Sequence, residues 1–149
     1  HPLATQKRVP TLLELARYPL ISYESSTLPE SSLQRAFTAA GVQPQIAMTA
    51  RDANLIKAYV RTGLGAGLLA EMAVGGREDE DLRVIDAPVE LPECITWAVV
   101  PRGRVLREYA LELLHGLVPQ IDRHDLRRIL EGNQTPNWPE LPRWQAESL

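Results

Sequence analysis

Five hydroxyl residues and one guanidinium stand where a small polar or anionic molecule could be held. Ser22, Ser25, Ser26 and Thr27 lie at the end of the apolar run Leu20-Ile21-Ser22-Tyr23, and Thr49 closes a second run, Gln45-Ile46-Ala47-Met48-Thr49, with Arg51 two residues beyond it. A hydroxyl both donates and accepts, so such a group binds sulfate or a carboxylate reversibly with neutral donors. Thr27 and Thr49 also have a simpler use, as caps of the helices that follow. Bond-making chemistry has little to work with. No Gly-x-Ser-x-Gly elbow is present, and no histidine or lysine is placed to activate a serine. His115 belongs to a predicted long helix, and His124, in Asp122-Arg123-His124-Asp125, reads as a solvated helix start. The single cysteine, Cys94, opens an apolar run and reads as a small buried hydrophobe, without a CxxC or Cys/His cluster to hold zinc. Neither a cofactor nor a metal is expected, and the chain is not expected to be an enzyme.

These residues need elements to hold them. Thr11-Leu12-Leu13-Glu14 has capping-box spacing and predicts a short helix over 11–17, ended by Pro19. Leu20–Tyr23 has strand length. Thr27-Leu28-Pro29-Glu30 repeats the capping-box spacing and predicts a second helix from Thr27 to Gly41, with Leu33, Ala36, Phe37 and Ala40 on one face. Gln45–Thr49 predicts a strand, and helical period returns from Arg51 or Asp52 to Thr62 through Leu55, Ile56, Tyr59 and Val60, with Asp52 as cap. Gly63-Leu64-Gly65-Ala66-Gly67 follows that helix and precedes a short apolar run. A dinucleotide fingerprint needs the opposite order, so these glycines serve close packing. Residues 75–81 read as an acidic surface loop, and Arg51 and Lys57, which flank the Thr49 junction and could draw an anion, as solvated surface charges; Leu82–Asp86 and Ile95–Val100 read as strands, Val105–Leu117 as a helix, and Leu126, Ile129 and Leu130 as part of another. The order of strands and helices is that of an α/β domain with a largely parallel sheet, whose ligands bind beyond the carboxyl ends of the strands, at helix amino termini.

Composition sets the outer bounds. The chain has 149 residues, 44% apolar and 23% charged, which is ordinary for a globular protein. A chain of this size buries about 68–70% of its unfolded surface without staples. A net charge of −3 argues against a free-standing nucleic-acid binder. The Arg102, Arg104 and Arg107 group is too sparse for a basic patch, as is the Arg123, Arg127 and Arg128 group. No apolar run approaches the ~20 residues of a membrane span, and a cytoplasmic location is expected. From Asn133 onward three prolines and two tryptophans stand without periodicity, and this segment reads as a loosely docked tail.

Three stretches together resemble a known family. His1-Pro2-Leu3-Ala4, the run Val60-Arg61-Thr62-Gly63-Leu64-Gly65-Ala66-Gly67-Leu68-Leu69-Ala70, and Thr49-Ala50-Arg51-Asp52-Ala53-Asn54-Leu55-Ile56-Lys57-Ala58-Tyr59-Val60 resemble the effector-binding domain of LysR-type transcriptional regulators. The last stretch looks most like the cysteine-regulon activators. The resemblance covers roughly residues 1 to 120 and fails in the tail. It implies a periplasmic-binding-protein-like type II fold, with one complete lobe (1–92, lobe II), the returning strand and helices of the other (93–131, lobe I) and a tail at 132–149.

It also implies an effector, sulfate, thiosulfate or acetylserine, held between the lobes through hydroxyl and amide donors, with Thr49 on the anion and Ser22, Ser25, Ser26, Thr27 and Arg51 beside it. The chain departs from the family at Leu28-Pro29-Glu30, where relatives carry a Thr-Gly-Arg-like stretch. A glutamate at that helix start disfavours an anion. The resemblance further implies an amino-terminal truncation, DNA binding through a helix-turn-helix domain absent from this chain, and a homo-oligomer, dimer or tetramer, without membrane attachment. Such a fragment is expected to be unstable, dimeric or aggregation-prone by itself. Two other readings compete: a fragment of a solute-binding protein for a small anion and, more remotely, an enzyme using the Ser22–Thr27 hydroxyls.

Overall fold

The computed structural model describes residues 1–75, 77–101 and 105–132, which divide into two compact units with the boundary after Cys94. The first unit is built on a parallel three-stranded sheet in the order β2-β1-β3, from β1 (Leu20–Tyr23), β2 (Ile46–Ala50) and β3 (Ala66–Gly67). The strands are joined through α2 (Ser32–Ala39) and α3 (Ala53–Arg61), and the short α1 (Leu12–Leu15) precedes them. The anticipated α/β order and parallel pairing are therefore present. Consecutive parallel strands need crossovers, and the helices supply them.

Both faces of β1 are buried, as a central parallel strand requires. Leu20 points into a cluster with Leu3, Leu12, Leu15 and Phe37, while Ile21 packs with Ala50 and Ile56 beneath α3. The capping box forms as spaced: Glu14 N–H donates to Thr11 Oγ1 at 3.3 Å, and Thr11 N–H donates to the Glu14 carboxylate at 2.9 Å.

The glycine run lies where the helix-then-strand order placed it. Gly63, at φ +79°, carries the chain out of α3 in a left-handed conformation. Gly65 passes so close to β1 that an added Cβ would stand 2.3 Å from the Pro19 carbonyl oxygen, which already accepts from Ala66 N–H at 2.9 Å. Gly65→Ala must therefore push β3 off β1, and a loss of about 1–3 kcal/mol is expected from such overpacking. A urea-unfolding midpoint equal to that of the wild type would show that the strands can part without cost.

Several predicted elements form differently. The second helix does not start at Thr27. Leu28 precedes Pro29, a position that disfavours helical backbone, and it is extended at φ −66°, ψ 139°. Residues Glu24–Thr27 instead make a 3-10 turn, and α2 starts after Ser31, whose hydroxyl accepts from Gln34 N–H at 3.2 Å. Leu82–Asp86 and Ile95–Val100 are not strands. Their alternation is real, and Ile85 packs against the first cluster, but a strand exists only through a paired neighbour; Trp97 and Val99 are 76% and 86% exposed. Cys94 is exposed, not buried.

In the second unit, α4 (Glu108–Leu117) and α5 (Arg123–Leu130) pack through Leu111, Ile121 and Leu126. The helix predicted from Val105 begins at Glu108, since Arg107 is extended. Its broad stripe splits, leaving Tyr109, Leu113 and Leu117 exposed. Asp122 caps α5 by accepting from His124 N–H at 2.7 Å, as expected of a helix start. The tail from Asn133, with its prolines and tryptophans, lies outside the described residues, as do Arg102 and Arg104.

Candidate functional site

The carboxyl ends of β1 and β2 lie side by side. Ser22 pairs with Thr49 and Tyr23 with Ala50, an alignment reached because β2 carries one extra residue, Ala47, between the partners of Leu20 and Ile21. In-register parallel partners share a face, so Ser22 and Thr49 project from the same side of the sheet. The next two residues leave the strands as neighbours: Arg51 Nε stands 3.5 Å from Glu24 Oε1, with both side chains largely exposed. The 3-10 turn Glu24–Thr27 packs on both β1 and β2.

The six predicted residues thus share one region but differ in what they can offer. Thr49 and Ser25 are exposed at the strand ends. Ser22 is only 2% exposed. Ser26 is half-buried, and its carbonyl accepts from Ser31 Oγ at 2.8 Å. Thr27 is exposed, but its hydroxyl donates to the Glu24 carbonyl at 2.8 Å and holds the turn closed. Neither Thr27 nor Thr49 caps a helix. That work falls to Ser31 and to Asp52, whose carboxylate accepts from Leu55 N–H at 2.9 Å.

Two groups at this end were not foreseen. Glu24 meets Arg51 only because of the strand register. The phenol of Tyr23 is half-buried at the tip of β1, and burial raises its pKa, aided by nearby Cys94 and Asp52.

The middle and the far end of α3 are held by charge. Lys57 is buried and its ammonium donates to Asp79 Oδ2 at 3.0 Å. One turn on, Arg61 reaches Asp79 at 3.2 Å, Asp81 at 2.7 Å and the Glu78 carbonyl at 2.5 Å. The acidic segment is thus a strap fastened to α3 rather than a freely solvated loop. The hydrogen bond from Lys57, with help from Arg61, holds the Asp79 carboxyl below its ordinary value of 3.8, and Arg61 does the same for Asp81. The Arg8 guanidinium likewise lowers Glu14 from 4.5 to about 2.

Carboxyls depressed on folding stabilise the chain above their unfolded values and lose that contribution as pH falls through their folded ones. The melting temperature is expected to fall on acidification below 4.5 and to keep falling towards about 2, the folded value of Glu14. Asp79→Asn should flatten part of that slope in thermal melts recorded against pH; an identical slope would remove Asp79 from the linkage.

Among the described residues no group of three or more His, Cys, Asp or Glu could hold a metal, and no helix is long and apolar enough to cross a membrane.

Residues 1–120 match the LysR substrate binding domain family. The chain is 36% identical over 132 residues to the HTH-type transcriptional regulator CysB of Burkholderia cenocepacia, covering 89% of this chain and 42% of that protein. It is 33% identical over 135 residues to the HTH-type transcriptional regulator cbl of Escherichia coli, covering 90% of this chain and 42% of that one. Its backbone matches the crystal structure of the cofactor-binding domain of the Cbl transcriptional regulator with a TM-score of 0.66 at 28% identity, over 87% of this chain and 57% of that chain. The chain therefore spans well under half the length of the full regulators it matches. With the family match over most of its length and the parallel β2-β1-β3 sheet beneath it, the chain belongs to the LysR substrate-binding-domain family and has that family's type II periplasmic-binding-like fold.

Proposed function

We propose that this chain is the effector-sensing part of a LysR-type transcriptional regulator of sulfur or cysteine metabolism. It takes a small anion or polar metabolite, such as sulfate, thiosulfate or acetylserine, at the carboxyl ends of β1 and β2. Thr49, Ser25 and Arg51 face the ligand, while Ser22, Ser26 and Thr27 shape the turn beneath it. The observation that carries this reading is the register that sets Ser22 beside Thr49 at the start of α3. Two hydroxyl-bearing strand ends open the same way, and a helix amino terminus adds positive potential.

The names of the relatives, CysB, SsuR and cbl, each described as an HTH-type transcriptional regulator, support a sensory role over delivery of a solute to a transporter. In this reading residues 1–92 form lobe II and 93–131 contribute to lobe I. DNA contact is made by a helix-turn-helix domain outside this chain, within a cytoplasmic homo-oligomer. No bond is made or broken: the effector acts by favouring one arrangement of the regulator energetically.

Calorimetric titration with sulfate, thiosulfate and acetylserine tests the reading. Saturable heat with at least one of the three is expected; the absence of binding by all three would overturn it.

A further inference from the structure

We infer that the acidic strap, residues 77–81, is a charge-fastened latch on α3. It opens by itself while the sheet and α3 stay folded, and its opening bares the two cations that Lys57 and Arg61 place one turn apart on that helix.

What holds the strap decides how it comes off. Residues 77–81 read Arg-Glu-Asp-Glu-Asp, without an apolar side chain, and Asp79 is the one buried residue among them. Such a segment gains little from the hydrophobic effect. Its hold on α3 is polar. Both Asp79 oxygens are taken, Oδ2 by Lys57 Nζ at 3.0 Å and Oδ1 by Arg61 at 3.2 Å, while Arg61 also grips Asp81 and the Glu78 carbonyl. The flanks are different. Ile85 and Leu91 pack against the first apolar cluster, and on the other side Gly75 turns the chain at φ +110° in open space.

The helix does not depend on the strap in the same way. Ile56 and Val60 hold the inner face of α3 so close to β3 that a Cβ added at Gly67 would stand 3.0 Å from a methyl carbon of each. Asp52 caps its start. Lifting the strap removes none of these contacts.

Closed, two cations and two carboxylates, Lys57, Arg61, Asp79 and Asp81, compensate one another. Open, the charges separate: one arginine against four acids leaves −3 on residues 77–81, and α3 shows two cations to water. The buried Lys57–Asp79 pair is what keeps the latch shut. A buried cation that loses its partner is strongly disfavoured, so neutralising Asp79 makes the strap lift and admit water to Lys57. Local opening of this kind is confined to segments with few buried apolar contacts.

Lys7 and Lys57 are the chain's two lysines, the first exposed and the second buried. Acetylation of the full chain by an N-hydroxysuccinimide ester at neutral pH, read by mass spectrometry, therefore reports the latch at Lys57 with Lys7 as internal reference. In the wild type Lys57 is expected to react far more slowly than Lys7, yet to open more often than the sheet. Sheet opening is read from hydrogen exchange of the Leu68 amide, which donates to the Ile21 carbonyl at 2.8 Å. Asp79→Asn should raise Lys57 acetylation about 100-fold relative to Lys7, as stranding a buried charge implies. Arg61→Gln leaves the Lys57–Asp79 pair in place and should raise it about tenfold.

Equal opening constants at Lys57 and Leu68 would mean that the strap leaves only when the whole unit unfolds, which overturns the inference. Unchanged Lys57 reactivity in Asp79→Asn would overturn it as well, by showing that charge does not fasten the strap. If Asp79→Asn fails to fold, the wild-type comparison and Arg61→Gln decide between the same outcomes.

Discussion

Thr49→Ala is expected to weaken effector binding on the order of 10- to 100-fold while leaving the fold intact. A hydrogen bond from a neutral hydroxyl to a charged ligand contributes about 1.5–3 kcal/mol, and each 1.4 kcal/mol is a factor of about ten in affinity. Thr49 is exposed at the penultimate position of β2 and belongs to neither apolar cluster of the first unit. Its truncation therefore removes a ligand contact and little else, and exposed substitutions of this kind shift stability by about 0.5 kcal/mol or less. Calorimetry on both proteins with the same ligand checks the first half, and thermal melting the second. Equal affinities would take Thr49 out of the site; a large drop in melting temperature would make its role structural. Thr49→Ser, which keeps the hydroxyl, should retain most of the affinity.

Phe37→Ala is expected to cost about 3–5 kcal/mol, the range for emptying a buried aromatic position. Phe37 is the chain's one phenylalanine and is fully buried among Leu3, Leu12, Leu15 and Leu20. It joins α2 to the face of β1 that carries Leu20 and, two residues on, Ser22. Against a typical total stability of about 5–15 kcal/mol, the loss is a large fraction. Chemical unfolding followed by far-ultraviolet circular dichroism measures it. Phe37→Leu, which keeps most of the volume, should cost markedly less. A small effect for both would mean that α2 is held to the sheet by something other than this contact.

Much of the fold was legible in local chemistry. Thr11 and Glu14 formed their capping box because every partner lies within four residues. Gly63 ended α3, and the parallel pairing of β1 with β2 followed from the alternation of strands and helices. Where two local rules competed, the spacing misled. Thr27-x-x-Glu30 has the letters of a cap, but Pro29 disfavours the helical backbone that Leu28 would need, and Ser31 takes over. Ile95–Val100 has the letters of a strand, but alternation supplies no partner.

Charge was the least legible feature. Lys57 and Asp79 are 22 residues apart, and nothing in either neighbourhood singles one out for the other. Residues 77–81 read as solvated because four of the five are acidic. Only the packing of the strap on α3 buries Asp79 and turns Lys57 from a surface charge into an interior one.

Residue order alone settled the elements that depend on neighbours: helix caps, the left-handed exit of α3, apolar faces, and the hydroxyl-rich ends of two strands. These rest on interactions of a few residues' reach, so their signals lie within a few letters of one another. The tertiary structure alone decided which side chains meet across the sheet. A parallel register can slip, and a one-residue slip turns every side chain to the opposite face. The extra residue at Ala47 sets Ser22 beside Thr49 and brings Glu24 to Arg51. The site's charge is thus a property of strand pairing, a long-range contact that no stretch of sequence contains by itself.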